Sequence, residues 1–227
     1  MEMKDIRYEP VVDIGKDDAL LVVDIQNDFM PAGALPVAQG DMIVRGINAV
    51  MKLFNRCGAS VVLTQDWHPQ GHHSFASAHE GKAPYDPYDA PGLGPVLWPD
   101  HCVQGTHGAD FHPELDTDMA HAAIRKGYHL LIDSYSGFFE NDMKTQTGLE
   151  GYLRTRGVRR VFVCGLALDY CVYYTASDAM KTGFEVYIVM DLTRAAGSPG
   201  DSISTAIETL ASAGVRFVNS PEVRHGG

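Results

Sequence analysis

Ala19-Leu20-Leu21-Val22-Val23 is an unbroken apolar run that stops at Asp24. A strand apolar on both sides has to be covered on both sides, and this is the feature that most limits how the chain can fold. The same kind of run returns at Ala59–Leu63, more weakly at Ala120–Ile124, then at Val158–Cys164, Phe184–Met190 and Val215–Val218. Helix-like segments lie between them. Met42–Cys57 carries apolar residues at helical spacing (Ile43, Val44, Ile47, Val50, Met51, Phe54) and Gly58 follows as a stop. Asp169–Thr182 reads as a helix ended by Gly183, and Pro199–Ala213 as one with Pro199 near its start and Gly214 at its end. Strands alternating with helices predict an α/β chain: six strands in a mainly parallel sheet, with helices on both faces. At 227 residues a single doubly wound domain over 1–227 suffices. The tail after Pro221 carries no readable pattern and is expected to be disordered.

A net charge of -11 excludes the basic face that nucleic acid or an anionic membrane surface requires. No apolar run approaches a membrane span, and Met1–Asp5 has no signal-peptide core, so a cytoplasmic protein is expected. Cys57, Cys102, Cys164 and Cys171 form no Cys-x-x-Cys pair and are expected to be reduced.

One stretch breaks the alternation. Residues 67–117 are long and irregular, rich in Pro and Gly, and hold His68, His72, His73, His79, His101, His107 and His112, seven of the ten histidines. An excursion of that length in a compact domain is commonly functional.

Ligands of an open parallel sheet bind at the carboxyl ends of its strands. Asp24, Asp66 and Lys126 follow the first three strands, and Cys171 opens the helix after the fourth. A helix N-terminus lowers a thiol pKa, which makes Cys171 the candidate nucleophile, with Asp169 expected to cap the helix. Cys164, inside a strand, reads as core, and Cys57 and Cys102 as packing. Asp24 and Lys126 supply a base and a cation to orient it. Asp66-Trp67-His68 places a carboxylate and an imidazole two residues apart; with a further histidine they would suit Zn²⁺, Fe²⁺ or Mn²⁺. A non-catalytic binding module is opposed by the intact Asp24, Lys126 and Cys171. A thiol redox protein is opposed by the lack of a resolving cysteine near Cys171 in sequence.

Six segments occur in order: Asp24-Ile25-Gln26-Asn27-Asp28-Phe29, Thr64-Gln65-Asp66-Trp67-His68-Pro69, His72-His73-Ser74-Phe75, Leu97-Trp98-Pro99-Asp100-His101-Cys102-Val103, Asp133-Ser134-Tyr135-Ser136-Gly137-Phe138 and Gly165-Leu166-Ala167-Leu168-Asp169-Tyr170-Cys171-Val172. Together they resemble the nicotinamidase/pyrazinamidase branch of the isochorismatase-like hydrolases, over about Ala19 to Val218. The resemblance implies a Rossmann-like strand order 3-2-1-4-5-6. It implies an amidohydrolase of linear carboxamides that converts nicotinamide to nicotinic acid and ammonia in NAD salvage and also takes pyrazinamide. Isochorismatases lack the cysteine, so Cys171 speaks against an enol-ether substrate. The implied triad is Asp24, Lys126 and Cys171, with an oxyanion hole from the amides of Ala167 and Cys171 and a cis Leu166–Ala167 bond. Asp66, His68 and His101 would hold one divalent ion, Zn²⁺ first, with Fe²⁺ or Mn²⁺ as alternatives. His72 aligns with a histidine that is a ligand in some members and a neighbour in others, and His73 with a position that is often small. Phe29, Leu35, Trp98 and Tyr135 would pack the substrate ring. Gly137 stands where relatives commonly carry alanine. Monomer and homo-oligomer are both compatible.

Overall fold

The computed structural model describes residues 6–197 and 202–226. In chain order the regular elements are β1 (Val12–Ile14), β2 (Asp18–Val23), α1 (Val44–Arg56), β3 (Ser60–Asp66), β4 (Ala122–Lys126), α2 (Leu149–Thr155), β5 (Arg160–Leu166), α3 (Cys171–Lys181), β6 (Glu185–Arg194), α4 (Ser202–Ser212), β7 (Arg216–Val218) and β8 (Val223–His225). Pro199, expected near the start of the last helix, lies outside the described residues.

Six strands form one sheet in the order β4-β3-β2-β5-β6-β7, every pair parallel. Counting only these six, that is the expected order 3-2-1-4-5-6. β2 shows how the sequence dictates the layers. Leu20 and Val22 enter the core beneath α1, with Val44, Ile47 and Phe54. Ala19, Leu21 and Val23 enter the opposite core with Leu149 and Leu153 of α2, Val172 and Ala176 of α3, and Ile207 and Leu210 of α4. Period-two alternation therefore sends apolar residues to both faces, which is why the run has no polar break.

Three elements differ from the sequence reading. The tail beyond Pro221 is ordered: β8 pairs in parallel with β1, Val12 opposite Val223, in a separate two-stranded sheet. Three-residue strands are too short to show a period. The short α2 was also missed, being the shortest of the α-helices among the described residues and starting at a left-handed Gly148. Asp169 does not cap α3. Tyr170 holds the cap position, and the Asp169 carboxylate instead accepts hydrogen bonds from the amides of Ala196 and Gly197 and from the Ser202 hydroxyl. It ties the end of β6 and the start of α4 to the rim.

The chain runs outward from β2 through β3 to β4 and returns to β5 on the other side of β2. The crevice between the carboxyl ends of β2 and β5 is thus the switch point where doubly wound sheets bind ligands. Gly165 lines that seam with φ +109°, and a Cβ there would fall on the Val23 backbone of the neighbouring strand. Neither the left-handed backbone nor the backbone collision can be relieved by moving a side chain. Gly165→Ala is expected to cost roughly 3 kcal/mol or more, read as a lowered urea midpoint; a midpoint within error of wild type contradicts the account.

Candidate active site

Four chemically active side chains meet at the switch point. Asp24 follows β2 in a left-handed conformation, φ 49°, and is fully buried. Such a backbone is costly for a non-glycine residue and turns the carboxylate back over the rim. Thr64 of β3 donates its hydroxyl to Asp24 Oδ1 at 2.6 Å. Lys126, the last residue of β4, is also fully buried, and its Nζ lies 2.8 Å from Asp24 Oδ2. The same ammonium is paired with the Asp66 carboxylate, donates to the Ser134 carbonyl at 3.1 Å and lies 3.5 Å from Cys171 Sγ. Cys171 is the first residue of α3, placed by a chain reversal that includes the cis Leu166–Ala167 bond.

The electrostatics differ from what a helix N-terminus alone suggests. Burial raises the Cys171 thiol well above its usual range; Lys126 pulls the other way but does not prevail, and Asp24 and Asp66 add to the rise. Burial also raises Asp24, against the attraction of Lys126. Lys126 is pushed up by its two carboxylates in spite of its own burial. The Cys171 sulfur thus sits beside the Asp24 carboxyl group, with the Lys126 ammonium in contact with both.

The 67–117 excursion supplies the second group. Backbone pairing closes it on itself: the His68 amide donates to Cys102 and the Gln104 amide to His68, while Trp98 and Ala76 pair across the Phe75 bridge. Asp28 accepts the Cys102 amide at 2.7 Å and fixes the turn at that residue, φ 47°. His101 is thereby brought against Asp66 and His68. Asp66 Oδ2 lies 3.8 Å from His68 Nε2 and 3.9 Å from His101 Nε2. The other ring nitrogen of each histidine is committed, His68 Nδ1 to the Gly127 carbonyl at 2.9 Å and His101 Nδ1 to the Pro99 carbonyl at 2.8 Å. Those bonds put the proton on Nδ1 and turn both Nε2 lone pairs inward, the orientation a metal ligand needs. Ligand atoms of Asp66, His68 and His101 all fall within 4.8 Å of one another, so this donor set fits one divalent ion. Ligand atoms of His68, His72 and Asp133 lie equally close, but His72 spends Nδ1 on Ser74 and Nε2 on the carbonyls of His129 and Ile132. That leaves His72 as a brace. His73 and His79 contact each other, His107 contacts Asn27, and His112 accepts the Glu114 amide.

Both groups contribute to one pocket, lined by the polar or reactive Asp66, His101, Asp133 and Cys171 together with Ala167 and by the apolar and aromatic Phe29, Leu35, Trp98, Tyr135 and Tyr170. All four expected ring-packing residues are among them. Trp98 Nε1 donates to the Tyr135 hydroxyl, which donates in turn to the Gly94 carbonyl, so the two rings hold each other at right angles. Tyr170 adds an edge contact to Trp98. Tyr170, Thr64 and Asp133 were not singled out from the sequence. Each lies within two residues of a recognised one in one of the six segments, but spacing gives no sign of which way a side chain points. At Gly137 a Cβ would sit 3.1 Å from the side chains of both Thr64 and Leu149, tight but open to small adjustments.

The isochorismatase domain model matches residues 18–222. A nicotinamidase from Acinetobacter baylyi is 46% identical over 205 residues, covering 90% of this chain and 94% of that one. The crystal structure of PnC1 from L. infantum in complex with nicotinate superposes with a TM-score of 0.82 at 40% identity, covering 95% of this chain and all of the other. That of the pyrazinamidase of Pyrococcus horikoshii in complex with zinc gives 0.74 at 39%, covering 89% and 99%.

Glu140 is fully buried, with the Gly127 amide and the Lys126 ammonium as the groups that favour its charged form. Burial pushes its pKa up to about 7, with Lys126 opposing. The folded state then holds this proton more tightly than the unfolded chain. Stability from this group is complete below the ordinary glutamate pKa and declines as pH rises toward 7, by at most ~3 kcal/mol once solvent screening is allowed for. Glu140→Gln should flatten the fall in urea midpoint between pH 5 and 8, and an unchanged pH slope would contradict the assignment.

Proposed function

The chain belongs to the isochorismatase family, and from that premise we propose that it works as a nicotinamidase, with Cys171 as nucleophile, Asp24 as proton carrier and Lys126 as the cation that holds both. It hydrolyses nicotinamide to nicotinic acid and ammonia, a reaction of NAD salvage. The observation that carries this reading is the convergence of Asp24 and Lys126 on Cys171, which lines an aromatic-walled pocket together with Asp66 and His101. A flat pyridine ring matches those walls, and its carboxamide matches the thiol end. The match to pyrazinamidases supports pyrazinamide, a ring of the same size, as a second substrate.

Cys171 attacks the carboxamide carbon as its thiol proton passes to Asp24, so that no free thiolate is needed in a site that disfavours one. The backbone N–H groups of Ala167 and Cys171 stabilise the oxyanion, at about 2.7–4 kcal/mol each. Asp24 returns the proton to nitrogen, the C–N bond breaks, and ammonia leaves a thioester on Cys171. Water then attacks the thioester carbon and gives its proton to Asp24; the C–S bond breaks, nicotinic acid departs and the proton returns to sulfur. Lys126 stays charged throughout, keeping Asp24 aimed and offsetting the oxyanion. Asp66, His68 and His101 would hold a divalent ion, Zn²⁺ before Fe²⁺ or Mn²⁺ because a carboxylate with two imidazoles is a common zinc set. When bound, the ion supplies a Lewis-acid anchor for the ring nitrogen of the substrate. Trp98, Tyr135, Phe29 and Leu35 confine the ring.

Ammonia release from nicotinamide is the direct test. Wild type is expected to turn over, while Cys171→Ala falls by about 10⁴-fold or more and keeps its metal content. Chelation should weaken substrate binding in wild type. A Cys171→Ala protein with near-wild-type turnover removes the nucleophile assignment. The raised Asp24 pKa gives a second check. Asp24 must be ionised to accept the thiol proton, so kcat/KM is lost as pH falls through that pKa. The acid limb should therefore lie above the ordinary carboxylate value of about 4; a limb at or below it would exclude Asp24 as the base.

A further inference from the structure

Asp133 faces the same pocket and has no part in the chemistry above. It is 2% exposed. Its Oδ1 accepts the Ser134 amide at 2.8 Å and lies 4.0 Å from His68 Nε2, the nitrogen aimed inward. Its Oδ2 is buried with no hydrogen-bond partner among the described residues. A carboxylate oxygen in that position is costly unless a donor reaches it. The pocket it lines offers either solvent or a bound ligand as that donor.

Direct ligation alongside the other three is poorly matched to the distances. Asp66, His68 and His101 form one group whose ligand atoms are all within 4.8 Å; Asp133 shares such a group with His68 and His72 instead. Its Oδ1 approaches His68 Nε2 to 4.0 Å, but the carboxylate falls outside the close group that Asp66 and His101 make with His68. Two ligands of one ion at about 2.1 Å each cannot be much more than about 4 Å apart.

We propose that Asp133 is a positioning residue of the metal site: its carboxylate accepts hydrogen bonds from water in the ion's coordination shell, adding a negative charge beside His68 without binding the ion itself. This rests on the reading of Asp66, His68 and His101 as the ligands. The bond to Ser134 and the backbone bonds of Asp133 to Gly92 and Asn141 pin the residue, so the carboxylate is preorganised for this contact. Neighbouring carboxylates that orient a metal's surroundings commonly contribute 10–100-fold to its affinity.

The experiment is zinc affinity of the whole chain by competition with a chromogenic chelator, without substrate. Asp133→Asn should bind zinc about 10–100-fold more weakly than wild type, and Asp133→Glu, which restores the charge, should recover part of the loss. The apo forms are compared by thermal melting, and the rise in melting temperature on adding zinc should be smaller for Asp133→Asn than for wild type even if the variant is less stable at the outset. Equal zinc affinity in wild type and Asp133→Asn overturns the inference while leaving the ligand reading intact. Equal affinity with a raised KM for nicotinamide also overturns it, and assigns Asp133 to the substrate carboxamide. A wild-type chain that takes up no zinc, iron or manganese removes the ligand reading and this inference with it.

Discussion

Lys126 is an ammonium with no exposure to solvent, and the architecture around it follows from the need to satisfy it. An isolated charge at that depth would lose its proton or unfold its surroundings. Here it is met by Asp24 from the end of β2 and Asp66 from the end of β3, with the Ser134 carbonyl as a further acceptor. Strand register makes this possible: Asp66 is paired with Lys126 along the β3–β4 ladder. The contact with Cys171 then fixes where α3 must begin. One cation thus couples Asp24, Cys171 and Asp66, so displacing either carboxylate leaves buried charge poorly paired.

Asp66 has two duties on its two oxygens. Oδ1 faces Lys126, and Oδ2 faces the two histidine Nε2 atoms. Gln26 holds the backbone of this residue from both sides, donating to the Asp66 carbonyl and accepting its amide, each at 2.8 Å. Gln26 and Gln65 both reach the Ala109 carbonyl, far along the excursion. The irregular segment is therefore sewn to the strand ends by side-chain amides, and a loop without regular structure can still hold His101 to a fixed place.

Much of the fold could be read from the sequence because buried parallel strands leave long apolar runs, and Leu20 and Leu21 need cover on opposite faces. β1 and β8 could not: Val12–Ile14 and Val223–His225 are too short to show a period, and their pairing joins the two ends of the chain. The site was legible to the extent that its residues follow strands. Asp24, Asp66 and Lys126 fall at strand ends, where the sheet itself converges them. His101 was reached only through resemblance, since a contact across an irregular loop leaves no local trace. Cys171 was found by position, but the effect of position on its thiol was outweighed. A helix terminus stabilises a thiolate by a modest local field, whereas burial acts on the whole charge.

Burial of the thiol gives the proposed chemistry its need for a neighbouring carboxylate. A thiol that ionises at rest needs a permanent cation and a wet or polar pocket. This pocket is walled by Phe29, Trp98, Tyr135 and Tyr170, which suits a flat aromatic amide and penalises an exposed anion. Burial in this setting raises the Cys171 thiol, to which those apolar walls contribute, and burial raises Asp24 as well. Lys126 limits how far that rise can go. Counting Lys126 against Asp24, Asp66 and Asp133, the site has more acidic groups than cations. A divalent ion held by Asp66, His68 and His101 would redress that balance among the buried carboxylates. On the proposed reading, proton transfer and metal retention then both depend on one buried charge arrangement.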